Sequence, residues 1–193
     1  MDEYINSNSR DFINQGLLNL CFSHNSLSSV QQANKPHVLA VFIANYLHNN
    51  LLCYTPICNT SAPIQINTQQ AIHYIVNELL ENAIKFQEFD TLYPIEITLY
   101  HYQDKLIFKV KNMTTADNME KFHYFMHKVH TSSDLYDLYI ESMEYQAHDV
   151  APRYGLGLLS IMCDYAAEIE WVFDSMHPVS SHTLVTTIVS VKI

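Results

Sequence analysis

Three polar side chains suited to phosphate chemistry fall on one stretch of predicted helix. Glu78, Asn82 and Lys85 are spaced four and three residues apart, so they share one stripe of that helix. A carboxylate can take up a proton, an amide oxygen is a hard ligand for Mg²⁺, and an ammonium group attracts phosphate as a point charge. A solvated helix face with an ordinary Glu–Lys interaction has the same spacing, so both interpretations stay open on spacing alone.

A glycine pair supplies a second candidate anion site. The chain has only 3 glycines in 193 residues, where an average usage of about 7% would give roughly 13. Two of them, Gly155 and Gly157, stand in a Gly-x-Gly that precedes an apolar segment predicted as a helix. The free N–H groups and the positive dipole end of such a helix attract anions, and glycine lets the backbone approach them closely. A tight turn between two helices is the structural alternative.

The polar stripe requires a helix to carry it, and the sequence predicts one from Asn67 to Phe86. Asn67 is a good N-cap, and Gln70 three residues later fits a capping box. Apolar residues then recur at helical spacing and cover one side of the helix. They are Ile72, Ile75, Val76, Leu79, Leu80, Ala83 and Ile84.

The first 62 residues are predicted to be a mainly helical N-terminal extension of a single domain that spans residues 1–193. Pro36 is placed near the first position of a helix, where its missing N–H group removes no helical hydrogen bond. The predicted segments are a helix at Phe12–Phe22, a loop or weak helix at Ser23–Pro36, a helix at His37–Leu52, a connector at Cys53–Pro63 and, just beyond, a short strand at Ile64–Ile66.

The remaining segments alternate between hairpins and helices. The predictions are strands at Ile95–Tyr102 and Lys105–Lys111 joined by a Gln103–Asp104 turn, helix over Thr114–Ala147 broken near Thr131–Ser133, a helix that follows Gly155–Leu158 and runs through Ala166, and strands at Glu168–Asp174 and Thr183–Ile193. Strands in hairpins with helices in separate blocks favour an α+β fold. We expect a two-layer α/β sandwich whose sheet is mostly antiparallel and covered by helices on one face.

Charge and composition argue against several classes of partner. Ten basic and twenty acidic residues give a formal net charge of −10, and no Lys/Arg cluster exists, which disfavours nucleic acid and anionic membranes. The start of the chain lacks a basic targeting region, and the longest apolar run, Val38–Ala44, is too short to span a bilayer. The four cysteines show no CxxC spacing, which favours reduced buried thiols. We therefore expect a cytoplasmic protein.

Two segments resemble motifs of the GHKL superfamily, which includes the ATPase domains of gyrase, heat-shock chaperones, histidine kinases and MutL. The segment Asn77–Phe86, NELLENAIKF, resembles the N-box of that superfamily, and Tyr154–Leu158, YGLGL, resembles its second glycine box. The resemblance spans about residues 64 to 192. Within the superfamily, the helical 114–147 segment and the GLGL sequence are most similar to small SiaB-type protein kinases, which are similar to anti-sigma serine kinases.

This resemblance implies a GHKL-type sandwich and an Mg-ATP-dependent serine/threonine protein kinase, or an ATP-binding regulator. The implied target is a small regulatory protein, STAS-like or similar, in a bacterial partner-switching pathway. Whether the chain forms a homodimer is left open. By resemblance, Asn82 would coordinate Mg²⁺, Glu78 would be the catalytic base, and Lys85 would lie near the phosphates. The turn and helix start formed by Gly155, Leu156, Gly157 and Leu158 would cradle the phosphate chain.

The sequence departs from the superfamily where adenine is recognised. After the strand, GHKL ATPases have Asp-x-Gly-x-Gly, whereas this chain reads Asn112-Met-Thr-Thr-Ala-Asp117 without a glycine. Asn112 takes the Asp position, and its carbonyl could accept a hydrogen bond from the adenine amine. A non-catalytic GHKL-fold module that regulates a partner by contact is therefore the alternative function. A histidine-kinase core is a third alternative, although residues before 64 show no obvious phosphotransfer hairpin.

Two further patterns favour structural roles. Glu120, His123, His127 and His130 share one helical face, which we interpret as a partly exposed helix surface in preference to a metal site. The tyrosines at 136, 139 and 145 are interpreted as core residues, with an adhesive partner surface as the alternative.

Overall fold

The chain forms an α+β fold with five strands and five helices in its described residues. The computed structural model describes residues 16–22, 29–54, 63–88, 92–102, 105–147, 155–175 and 182–192. The elements are β1 (Gly16–Phe22), α1 (Ser29–Tyr54), α2 (Pro63–Phe86), β2 (Ile95–His101), β3 (Lys105–Thr115), α3 (Ala116–Thr131), α4 (Leu135–Ala147), α5 (Leu156–Asp164), β4 (Glu168–Ser175) and β5 (His182–Lys192).

The five strands form one sheet in the order β1-β2-β3-β5-β4, and every neighbouring pair is antiparallel. The long strands β3 and β5 pair along their whole lengths, from Lys105 opposite Lys192 to Thr115 opposite His182. Side chains alternate between the two faces of a strand. On β2 this places Ile95, Ile97 and Leu99 in the core and leaves the intervening residues half-buried.

Helices α1, α2, α3 and α5 pack on the face of the sheet that carries these buried residues, and α4 packs against α5. The core joins this face to the buried sides of α1, α2 and α5. Helices α1 and α2 run antiparallel, since Gln69 donates to Asn45 and the rings of His37 and His73 meet at 5.1 Å. The expectation of an α+β fold is confirmed, and the arrangement is compatible with a two-layer sandwich.

The predicted helix at Phe12–Phe22 is wrong for its described part, because residues 16–22 form strand β1 at the edge of the sheet. The local pattern has a period of two. Leu18, Leu20 and Phe22 pack against the core, and the two residues between them are exposed. Over the longer stretch from Phe12 to Phe22 the apolar residues show a mixed pattern, which obscures the alternation within residues 16–22. Residues 12–15 lie outside the described residues.

Two predicted helix starts are also wrong. Helix α1 begins at Ser29, so Pro36 lies inside it and not at its first position. Helix α2 begins at Pro63, which removes both the predicted strand at Ile64–Ile66 and the N-cap role of Asn67. A proline at the first helical position loses no helical hydrogen bond, so Pro63 is a good start. Of the predicted connector, residues 55–62 lie outside the described residues.

Other predicted elements are confirmed with small shifts of their ends. The hairpin strands and the two C-terminal strands are present, although the Gln103–Asp104 turn lies outside the described residues. The predicted break between α3 and α4 falls at Ser132, whose extended backbone ends α3. Asp134 then caps α4 by accepting a 2.7 Å hydrogen bond from the N–H of Tyr136. Helix α5 ends at Asp164, two residues earlier than predicted.

The C-terminal end of α2 is tied to β3 by Gln87. Its side chain is 3% exposed, accepts from the N–H of Met113 at 3.0 Å and donates to the carbonyl of Tyr93 at 2.8 Å. The next residue, Glu88, donates its N–H to the carbonyl of Met113 at 2.8 Å. These bonds satisfy backbone groups of β3 past the end of its ladder with β2, which stops at Glu96 and Lys111.

We predict that Gln87→Ala lowers the free energy of unfolding by about 1–3 kcal/mol, because it leaves the buried N–H of Met113 without an acceptor. Gln70→Ala, at an exposed position of the same helix, is the matched control and should change stability by less than about 0.5 kcal/mol. Urea unfolding followed by circular dichroism measures both values. Equal effects of the two substitutions would contradict the role of Gln87.

Candidate functional site

A pocket lies between α2, α3, the start of α5 and the helix-covered face of the sheet. Its walls are mainly apolar, and its polar lining residues come from α2, β3, α3 and β5. These polar residues are Asn82, Asn112, Thr114, Asn118, Lys121 and Thr187. Four residues predicted from the sequence as site residues line the pocket together, namely Asn82, Asn112, Gly155 and Leu158.

The polar residues of the sheet reach the pocket because of strand alternation. Phe108 and Val110 are buried core residues of β3, and a period of two carries the same face on to Asn112 and Thr114. Asn112 is a predicted site residue, whereas Thr114 is not, because the sequence pattern predicts that the strand ends at Lys111. Continuing the alternation through residue 115 would have found it.

The buried hydroxyl of Thr114 has unsatisfied hydrogen-bonding capacity. The side chain is 3% exposed and lines the pocket, and its Oγ1 has no hydrogen-bond partner among the described residues. Asn112, one step back on the same face of β3, is also buried. A buried hydroxyl without a partner is unfavourable by roughly 1–3 kcal/mol. The pocket therefore presents polar groups that a bound molecule could satisfy.

Glu78 lies beside this pocket and touches the second glycine. A Cβ atom on Gly157 would overlap the Glu78 carboxylate, so the first turn of α5 packs directly against this side chain of α2. Burial, and to a lesser degree the negative charge of Glu81, raises the pKa of Glu78 above its ordinary value. A carboxylate with a raised pKa is a stronger proton acceptor, as a general base requires.

A hydrogen-bonded group fixes α5 against α2 and α4. Ser160 Oγ donates to Asp164 Oδ2 at 2.8 Å, and the same carboxylate accepts from the hydroxyl of Tyr139 on α4 at 3.4 Å. Tyr74 on α2, one turn before Glu78, lies near Ser160, and its ring meets that of Tyr165 at 5.6 Å. Burial raises the pKa of Tyr74, so this phenol stays protonated. These contacts join the second half of α5 to its neighbours, while its first turn meets Glu78.

Gly155 forms the other close approach in the site. It precedes α5 in the left-handed conformation with φ +85°, and its carbonyl accepts the N–H of Leu159 at 2.9 Å. A Cβ atom at this position would overlap the ring of Phe125 on α3. Both the backbone angle and the ring therefore require glycine here.

An aromatic cluster holds α3 down on the sheet and narrows the pocket. The ring of Phe122 lies edge-on to Trp171 at 5.5 Å and to Phe173 at 5.8 Å, and Phe125 meets Trp171 at 6.3 Å. The pocket volume is about 60 Å³, room for a few water molecules and well below the roughly 300–1,000 Å³ of small-molecule sites. A larger ligand needs the pocket to widen, for instance by movement of α3 away from the sheet.

The remaining predicted site residues do not line the pocket. Lys85 is exposed, and its Nζ lies 5.3 Å from the centre of the neighbouring Phe86 ring. Leu156 is half-buried at the first position of α5. The structure thus brings Glu78 and Asn82 to the pocket region but leaves the third member of the predicted stripe on the outer surface of α2.

Other candidate features stay outside the site. The described residues contain no group of three or more His, Cys, Asp or Glu side chains that could hold a metal, and His123 on α3 packs against Phe173 at 5.7 Å. The rings of Tyr136 and Tyr139 meet edge-on at 6.3 Å, with Tyr136 exposed. The side chain of Tyr145 lies outside the described residues.

Sequence comparisons identify no relative of this chain among family models or curated proteins. No protein-family model matches the chain, and a search of curated proteins finds no significant match. Among the described helices, none is both long enough and apolar enough to cross a membrane. Function must therefore be argued from the geometry of the pocket and its flanking residues.

We predict that Gly157→Ala pushes the Glu78 carboxylate out of its present position, so the substitution stabilises the fold less than helix propensity alone would. In a Glu78→Ala background the overlap disappears, and Gly157→Ala should stabilise by up to about 1 kcal/mol through its better helix propensity. Chemical unfolding of the four proteins in this double-mutant cycle gives the coupling energy. Additive effects would show that the two residues are not in contact.

The raised pKa of Glu78 predicts a pH-dependent effect on stability. Because the folded state disfavours its charged form, Glu78 is destabilising above its ordinary pKa of about 4.3 and not below it. Glu78→Gln, which is neutral and of similar shape, should therefore raise the melting temperature at pH 7 and lose this advantage below about pH 4. Melting curves across that range test the sign, and Glu144→Gln on an exposed face of α4 is the control. A Glu78→Gln protein that is less stable than wild type at pH 7 contradicts the assignment.

Proposed function

We propose that this chain binds Mg-ATP in the pocket between α2, α3 and α5 and acts as a serine/threonine protein kinase of the GHKL type on a small regulatory protein. The observation that carries the proposal is the pair of buried polar side chains, Asn112 and Thr114, in a mainly apolar pocket that Asn82 also lines and Glu78 adjoins. The resemblance of residues 77–86 to the N-box supports the same assignment. A cytoplasmic, partner-switching role belongs to this proposal.

The buried end of the pocket fits a purine ring in its chemistry. The apolar lining, including Val110 and Met119, offers flat surface for a ring, and Asn112 and Thr114 supply hydrogen-bonding groups at its edge. The Asn112 carbonyl can accept from an exocyclic amine, and the Thr114 hydroxyl can donate to a ring nitrogen. The ring nitrogen of the ligand would then be the hydrogen-bond partner that the Thr114 hydroxyl lacks.

The phosphate end would lie at the α2–α5 junction. Asn82 would be the Mg²⁺ ligand, and the N-terminus of α5 after Gly155 directs backbone N–H groups toward an anion. Mg-ATP, when bound, supplies the phosphoryl group and the neutralising charge. Glu78, beside Gly157, takes the proton from the hydroxyl of the partner protein. The exposed Lys85 would contribute positive charge from outside the pocket.

A contact-only regulator is the second candidate function, and one observation favours it. Strand β3 runs directly into α3, where Thr115 caps the helix by accepting from the N–H of Asn118 at 3.3 Å. This junction contains no glycine, and Phe125 fills the space next to Gly155. In this candidate, the small pocket stays closed and α3 is part of the surface that a partner recognises.

Binding of Mg-ATP separates the two candidates. A ligand present at 100 times its dissociation constant stabilises the folded state by about 2.7 kcal/mol, so the melting temperature should rise with nucleotide. We expect Thr114→Val and Asn82→Ala to weaken binding by roughly tenfold or more in calorimetry, since each removes a polar contact worth about 1–2 kcal/mol. Thr98→Val and Asn19→Ala, outside the pocket, are matched controls.

Transfer is measured separately by incubating the protein with ATP, Mg²⁺ and a candidate partner, followed by mass spectrometry for added phosphate. Glu78→Gln should keep nucleotide binding and reduce transfer by about 10²-fold or more, as expected for loss of a general base. If Mg-ATP leaves both the melting temperature and the binding of the partner unchanged, the contact-only regulator is supported and the kinase is rejected.

A further inference from the structure

The side-chain amide of Asn112 lines the pocket without a partner that sets its orientation. It is 7% exposed, and no residue that the structure describes forms a hydrogen bond with its side chain. Its cross-strand neighbour on β5 is the apolar Val185, and the pairing of β3 with β2 ends one residue before it, at Lys111. Since an amide carries both an acceptor and a donor, Asn112 can turn either of them toward the pocket.

Gln87, which contacts the next residue of β3, shows the opposite arrangement. Its amide oxygen accepts from the N–H of Met113 at 3.0 Å, and its amide nitrogen donates to the carbonyl of Tyr93 at 2.8 Å. A flipped amide would place donor against donor and acceptor against acceptor, so these bonds hold the side chain in one direction. No such pair of bonds acts on Asn112 within the described part of the chain.

The hydroxyl of Thr114 has the same freedom. Its Oγ1 is buried and has no partner among the described residues, and a hydroxyl can rotate either to donate or to accept. The rest of the polar lining consists of amides and a hydroxyl at Asn82, Asn118 and Thr187, and of the ammonium group of Lys121. No described residue that lines the pocket is Asp or Glu, so none of these side chains is restricted to accepting hydrogen bonds.

Purine bases present opposite hydrogen-bonding groups at two adjacent ring positions. Adenine has an amino donor on C6 and an acceptor at N1, whereas hypoxanthine and guanine have a carbonyl acceptor on C6 and an N–H donor at N1. A site selects between them only when its own groups are held as donor or acceptor, because the wrong base then leaves buried polar groups unpaired. Asn112 and Thr114 are not held in this way, so each can reverse its direction together with the base.

We propose that the pocket takes 6-oxopurine nucleoside triphosphates, the class that contains GTP and ITP, as readily as ATP. With ATP, Asn112 accepts from the C6 amine and Thr114 donates to N1, whereas with ITP, Asn112 donates to the C6 carbonyl and Thr114 accepts from the N1–H. This inference rests on the nucleotide site of the proposed function and widens its substrate class. ITP is the sharper probe, because it differs from ATP only at these two positions, whereas GTP adds a 2-amino group.

Calorimetry of the full chain with Mg-ATP and Mg-ITP at pH 8 tests the lack of selection. In the wild type, the two dissociation constants should agree within about threefold. Asn112→Asp introduces a carboxylate, which only accepts, so the ratio of the ITP to the ATP dissociation constant should rise at least about tenfold, because the C6 carbonyl then faces a second acceptor. Asn19→Asp, at an exposed position of β1, adds the same charge outside the pocket and should leave this ratio at its wild-type value.

Thr114→Val removes a hydroxyl that serves both bases, so it should weaken ATP and ITP by the same factor, and far-UV circular dichroism verifies that each variant is folded. A wild type that prefers either nucleotide by more than about tenfold would overturn the inference while leaving the nucleotide site in place. A ratio that Asn112→Asp leaves unchanged would also overturn it, because the base would then not contact Asn112. If neither nucleotide binds the wild type, the nucleotide site itself is rejected, and the inference is rejected with it.

Discussion

Where β3 extends past its pairing with β2, the buried side chain of Gln87 takes the place of a neighbouring strand and hydrogen-bonds the backbone of β3. The geometry of the pocket depends on these hydrogen bonds. Gln87 bridges the backbone of Met113 and the carbonyl of Tyr93, so the last turn of α2 is fixed relative to the end of β3. Asn82 belongs to that helix, and Asn112 and Thr114 flank Met113 on the strand. This tie adds directional hydrogen bonds to the core packing that already holds the helix against the strand.

The two glycines before and within α5 satisfy different physical requirements. Gly155 has a left-handed backbone and lies against the ring of Phe125, whereas Gly157 is an ordinary helical residue that lacks a side chain because the Glu78 carboxylate occupies that space. In a chain with only three glycines, both are used where a neighbouring element comes too close for a Cβ atom. Close packing of α2, α3 and α5 is thus a property of the site itself.

Long helices with regular apolar spacing and the paired strands could be predicted from the sequence, because each pattern repeats over many residues. The start of α2 could not, since Asn67 and Gln70 form a good capping motif locally while the helix extends back to Pro63. Strand β1 was mistaken for helix because its alternation covers only seven residues. The sequence correctly predicts four residues that line the pocket, namely Asn82, Asn112, Gly155 and Leu158. Thr114 could not be predicted without knowing that β3 continues to Thr115. The exposed position of Lys85 depends on how α2 is rotated, which spacing along one helix does not determine.

Phe125 and Gly155 pack against each other and both line the pocket, so a ligand that widens the pocket by moving α3 would separate them. If the open form of α3 is a minor state, the apparent affinity for a ligand falls in proportion to the fraction of molecules that are open. A partner that binds α3 away from the sheet would then tighten ligand binding without touching the pocket. Thermodynamic linkage requires the reverse as well, so a bound ligand would strengthen the hold of that partner by the same factor. Under the proposed function, the aromatic contact would thus make the two binding events depend on each other.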